Sequence, residues 1–103
     1  MSATVIHQPR VAWDGARAFV RAASDPGYES FAQLVHGWLG PEARAAFLES
    51  HDRIEEAQRR LPGDRHATDV EAGRWRVRLE DMLRTRPDLV DDVLELTWRA
   101  PMS

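Results

Sequence analysis

Four punctuated breaks limit what this chain can fold into: Asp25-Pro26-Gly27, Gly40-Pro41, Leu61-Pro62-Gly63-Asp64 and Pro87. Proline lacks the backbone donor a helix interior needs, and glycine accepts the positive φ that ends a helix, so each break stops one element and starts the next. Between the breaks apolar residues recur every three or four positions, and no useful length alternates with period two. The expectation is an all-α, single-domain bundle of four to five helices. Residues 1–10 read as a flexible N-terminal arm, 11–99 as the bundle and 100–103 as a C-terminal tail.

From Val11 to Ala23 the residues Ala12, Trp13, Ala16, Phe19, Val20 and Ala23 share one side of a helical wheel, with Asp14, Arg17 and Arg21 opposite. Tyr28, Phe31, Leu34, Val35, Trp38 and Leu39 form a broad aromatic face on the second helix. The third and longest helix carries a seam of Ala43, Phe47, Ser50, Ile54, Ala57 and Leu61, with small and large residues in alternate layers. On its outer face Glu49 with Arg53, Glu55 with Arg59 and Glu56 with Arg60 have the spacing of favourable ion pairs. Thr68 with Glu71 has capping-box spacing for a fourth helix reaching about Arg86, and Pro87 opens a fifth. The short break at Pro62-Gly63 predicts an antiparallel long-helix pair, with Phe47, Ile54 and Leu61 packed on Trp75, Leu79 and Met82.

At 103 residues, 43% apolar and 30% charged with a net charge of -3, the chain has the composition of a soluble globular domain that does not need phosphate to neutralise it. No cysteine is present, which excludes disulfides, thiol nucleophiles and thiolate metal sites and fits a cytoplasmic setting. The opening residues MSATVIHQPR lack the pattern of a secretory signal, and no apolar run approaches the roughly 20 residues of a membrane span. All fourteen basic residues are arginine, as a GC-rich genome would favour.

Each candidate for chemistry meets a simpler reading. Arg74, Arg76, Arg78 and Arg84 point in separate directions around the fourth helix, and Glu80 and Asp81 are within reach of them, so they make no basic stripe for nucleic acid. Asp88, Asp91, Asp92 and Glu95 do share a face. DDVLE has the outline of the magnesium motif of class I terpene synthases, but those enzymes need a larger helical barrel and a second metal motif. Acids at a helix start are in any case stabilised by its dipole. His7, His36, His51 and His66 have no metal-ligand spacing, and no nucleophile elbow, phosphate loop or dinucleotide motif occurs. No catalytic residue and no cofactor or metal ligand is therefore expected.

Trp13, Trp38 and Trp75 fall on the apolar stripes and read as core. Trp98 points away from Leu89, Val93 and Leu96, and Val70 and Val77 lie seven residues apart on the side of the fourth helix opposite Trp75. These surplus apolar side chains, with the acids Asp91, Asp92 and Glu95, mark a contact face on the last helical pair.

The segments AWDGAR (Ala12 to Arg17), WLGPEARAAF (Trp38 to Phe47) and a tryptophan leading RLEDML before Pro87 and a leucine-rich helix resemble a group of small helical actinobacterial proteins. The matching positions include Trp13, Trp38, Trp75, Leu79, Leu83, Pro87, Leu89 and Leu96. No activity attaches to that group, so the resemblance implies a helical fold and an actinobacterial source and assigns no site residue. The residues themselves favour a noncatalytic protein-interaction module, an adaptor or self-associating unit that binds a protein partner or its own copy rather than nucleic acid or membrane. The alternatives are a nucleic-acid-binding regulator using the arginines of the fourth helix, and a small enzyme or metal protein using the acidic face of the fifth.

Overall fold

The computed structural model describes residues 8–102. Their regular elements are all helical: α1 (Gln8–Ala23), α2 (Tyr28–Leu39), α3 (Pro41–Arg60), α4 (His66–Thr85) and α5 (Val90–Arg99), the last preceded by a single 3-10 turn at Pro87–Leu89. α1 starts ahead of the expected Val11, with Pro9 in its first turn where a missing donor costs nothing. The rest of the proposed N-terminal arm lies outside the described residues, as does Ser103.

The breaks act as their residue types dictate. Asp25 Oδ2 accepts the Gly27 N–H at 2.7 Å and turns the chain into α2. Gly40 at φ 102° hands over to Pro41, the first residue of α3. Gln58 staples the next turn from inside α3: its Oε1 accepts the Gly63 N–H and its Nε2 donates to the Asp64 carbonyl, both at 2.9 Å.

α1 is the hub. It is buried on most of its circumference, at Val11, Ala12, Gly15, Ala16, Ala18, Phe19, Val20, Ala22 and Ala23. Small side chains let neighbours close in on several sides, and α1 packs most extensively on α4 and then on α5, while α2 packs on α3. At Gly15 a Cβ would stand 3.0 Å from Val93 Cγ1 and 3.1 Å from Leu79 Cδ1, so α4 and α5 both touch the α1 backbone there. Phe19 ties α2, α3 and α4 together, its ring centroid 5.5 Å from Phe31, 6.3 Å from Phe47 and 4.8 Å from Trp75. One hydrophobic cluster runs from Val11 to Ala100 through all five helices. The C-terminal segment is held to α1, since Arg21 Nε donates to the Pro101 carbonyl at 3.0 Å.

Several expected contacts differ. α3 and α4 share far less surface than α1 and α4. Leu61 is 60% exposed, because α3 ends at Arg60 and the chain has already turned away. Trp13 is 40% exposed rather than core, lying under the guanidinium groups of Arg17 and Arg76 at 4.9 and 5.5 Å from its ring centre. Trp38 is half-buried with Arg99 over its ring, and Trp75 is buried. The Thr68–Glu71 capping box does not form: Thr68 Oγ1 donates to the Arg65 carbonyl, and Glu71 turns inward. Of the outer-face pairs on α3, only Glu56 with Arg60 is made; Arg53 reaches Glu71, and Glu55 lies 3.7 Å from His51.

Candidate functional site

α3 and α4 meet through a buried polar cluster and leave an open groove between them. Trp75 Nε1–H donates to Ser50 Oγ at 2.8 Å, and Ser50 Oγ–H donates to Glu71 Oε1 at 2.8 Å. Arg53 grips the same carboxylate with two donors, Nε to Oε2 at 2.7 Å and Nη2 to Oε1 at 2.9 Å, while Arg74 Nε lies 3.5 Å from Oε2. Burial raises the Glu71 pKa, but the hydrogen bonds from Arg53 and Ser50 and the charges of Arg53 and Arg74 outweigh it and leave the group below its ordinary value. The bonds Arg53 donates to Glu71 raise the Arg53 pKa in turn. Glu71 therefore stays ionised at neutral pH.

The sequence reading missed this cluster, though it left a signal. Glu71 stands four residues before Trp75 on the stripe that continues through Leu79 and Leu83, and Ser50 interrupts the seam between Phe47 and Ile54. One polar residue in each of two apolar seams is the pattern of a buried hydrogen-bonded pair. Chemically the cluster is closed. No buried side-chain nitrogen or oxygen among the described residues lacks a partner, and Ser50 faces no histidine that could take its proton.

Beside the cluster the groove opens to about 960 Å³, walled by Ala46, Glu49 and Arg53 of α3 and by Gly73, Val77, Arg78, Asp81 and Met82 of α4, among others. Val77 is 49% exposed in it. Arg78 lies over the Trp75 ring at 5.7 Å, and neither Arg78 nor Glu49 has an ion-pair partner among the described residues.

The candidate residues fall on different surfaces. Val70 and Val77 are exposed on α4, and Val77 lines the groove. Trp98 is 82% exposed on α5, which packs on α1 and α2 and contributes nothing to the groove, so the structure does not join it to Val77. Asp91 is exposed, Asp92 is half-buried, and Glu95 accepts from Arg99 Nε at 3.0 Å. Asp88 is paired with Arg86 rather than with the other acids. The described residues hold no group of three or more His, Asp or Glu placed to bind a metal ion.

Three of the four arginines are engaged: Arg74 with Glu71, Arg76 with Glu80 at 3.3 Å, and Arg84 with Asp81 at 2.7 Å, so Asp81 serves Arg84 and not Arg78. His51 is buried, its Nδ1 2.8 Å from the Ala23 carbonyl at the end of α1 and its ring stacked on Tyr28 at 3.5 Å. His36 and His66 are exposed, and His7 lies outside the described residues. No helix among the described residues is long and apolar enough to cross a membrane. Comparison with family models, curated proteins and solved structures yields no match. The actinobacterial resemblance thus assigns no role to any residue here.

Proposed function

We propose that the chain is a noncatalytic helical interaction module whose contact surface is the groove between α3 and α4, occupied by a protein partner or by a second copy of the chain. The carrying observation is that groove: an open trough with the exposed Val77 in it and two uncommitted opposite charges, Glu49 and Arg78, on its walls. A trough that mixes exposed apolar and charged side chains suits another protein surface. The polar cluster beneath it has every buried atom satisfied, which suits a brace that holds α3 on α4.

In this reading α3 and α4 are an antiparallel pair within one domain, since Trp75 donates to Ser50, Arg53 to Glu71 and Gln58 to Asp64. The face is thus the groove between α3 and α4 and not the pair of α4 and α5 drawn from sequence. It keeps Val77, with Val70 exposed two turns away on the same helix, and leaves Trp98, Asp91, Asp92 and Glu95 outside. A cytoplasmic setting fits a chain without cysteine.

The test is the native mass of a tagged chain in an extract of its host. The reading expects a species well above the 11.7 kDa of one chain, reduced to that mass by Val77→Asp while the far-ultraviolet circular dichroism stays unchanged. An unmodified chain at monomer mass, or a Val77→Asp protein that keeps the larger mass, contradicts it.

A further inference from the structure

We infer that the occupant of the groove is the α4 helix of a second copy, packed antiparallel about a two-fold axis at Val77. This inference rests on the interaction reading above and names its partner. Val70, Arg74, Val77, Asp81 and Arg84 follow one another at alternating four- and three-residue steps along α4, and all five are exposed. That spacing makes one straight seam on a helix, the seam two helices use to pack along each other.

A two-fold axis at Val77 sets each Val77 against the partner's Val77. In the same register Arg74 stands within one residue, about 1.5 Å of rise, of the level of the partner's Asp81, and symmetry repeats that pair on the other side of the axis. The inner positions of the seam are therefore complementary to themselves in charge, with Arg74 on one side of the centre and Asp81 on the other, while Arg84 lies a turn further out, opposite the partner's Val70. Arg74 and Asp81 are both well exposed and their present partners, Glu71 and Arg84, lie on the same helix, so each can take a second partner without abandoning the first.

Two further observations fit this occupant. Gly73 flanks the seam in the interior of a twenty-residue helix, yet beyond the adjoining residues and backbone of its own helix no described atom lies within 4 Å of where its Cβ would be. Glycine there weakens α4 and serves no contact inside the chain, but it leaves room for a second helix to approach closely. Arg78 lies on the flank of the seam turned toward α3, and in this register the partner's Arg78 arrives beside Glu49, a wall residue without an ion pair among the described residues. The helices α3 and α4 of the two copies then make a four-helix layer, and each groove is filled by the other copy's α4.

The experiment is sedimentation equilibrium of the purified full chain at rising concentration, with Arg74→Asp, Asp81→Arg and the double variant compared. The unmodified chain should approach twice 11.7 kDa. Each single reversal, counted twice by the symmetry, should weaken association about tenfold, and the double variant should restore it because the pairs re-form with their signs exchanged. Arg74→Asp and the double variant should melt below the parent when dilute, because Arg74 lies beside the buried Glu71, and Asp81→Arg slightly below it for loss of the Arg84 pair, so association is compared at a temperature where all four proteins are folded. Gly73→Leu should also abolish association without lowering the dilute melting temperature.

A chain that stays monomeric up to about 1 mM overturns the proposal, as do single reversals without effect or a double variant that fails to recover. A purified monomer that still runs as a large species in host extract overturns self-association and leaves the interaction module standing. A monomer in both settings overturns both.

Discussion

The indole N–H of Trp75 donates to Ser50 Oγ at 2.8 Å, and through that hydroxyl the largest fully buried side chain of α4 is joined to the one buried carboxylate among the described residues, Glu71. The chain Trp75, Ser50, Glu71, Arg53 is the polar brace between two helices that otherwise share little surface. Its members depend on one another, because removing one leaves a buried donor or acceptor without a partner.

Glu71→Ala should therefore cost about 1–3 kcal/mol, the penalty for stranding the Ser50 hydroxyl and releasing Arg53. The figure is below that of a fully buried ion pair because the Arg53 side chain is 44% exposed and can be rehydrated. Equilibrium unfolding in urea measures it, and a loss under about 0.5 kcal/mol would mean that the brace is ornamental.

The same carboxylate sets a pH dependence. Its folded pKa lies below the ordinary 4.5, so the folded state binds this proton less readily than the unfolded chain does. The stability it contributes is present above that ordinary value and is lost as the pH falls through the lowered folded one. The urea midpoint of the parent should drop more steeply between about pH 5 and pH 3 than that of Glu71→Gln. Parallel acid limbs in the two proteins would show that another group governs acid unfolding.

Ile54 and Leu61 were placed in one seam by their spacing, and they should now behave differently. Ile54 is 3% exposed and Leu61 is 60% exposed. Ile54→Ala should cost about 2–5 kcal/mol, whereas Leu61→Ala should stay within about 0.5 kcal/mol of the parent. Equal losses would place Leu61 back in the core.

Gly15 and Gly73 should respond in opposite directions. At Gly15 a Cβ meets buried Val93 and Leu79 at 3.0 and 3.1 Å, so Gly15→Ala should lower stability by about 1–3 kcal/mol as those side chains are forced apart. At Gly73 the space is open, and Gly73→Ala should raise the stability of dilute protein by up to about 1 kcal/mol through helix propensity alone. Thermal melts of both variants check the sign.

Helix type and helix limits were legible because proline and glycine act locally. Asp25-Pro26-Gly27, Gly40-Pro41 and Pro62-Gly63 each separate two helices in the structure, and Pro87 opens a 3-10 turn ahead of α5. Helix pairing was not legible, because an amphipathic stripe tells which side is buried and not what covers it. The clue lay in α1, whose alanines and Gly15 extend round the wheel beyond one stripe, as a helix with neighbours on several sides requires. Trp13 misled because a ring can lie at the rim of a stripe and be roofed by arginines instead of by core. Of the candidate site, Val77 was found from its lone apolar position. Glu71 was missed because a glutamate ordinarily signals solvent, and here its burial depends on an arginine from another helix.

The central claim is that the groove between α3 and α4 is a place where another protein sits. A photoreactive side chain at Val77 in the living host measures that most directly, with the same group at the exposed outer position Arg60 as control. Irradiation should give a discrete adduct of higher mass from position 77, and twice the chain's 11.7 kDa if the occupant is a second copy, with none from position 60. No adduct at position 77, or equal adducts at both positions, would contradict the account.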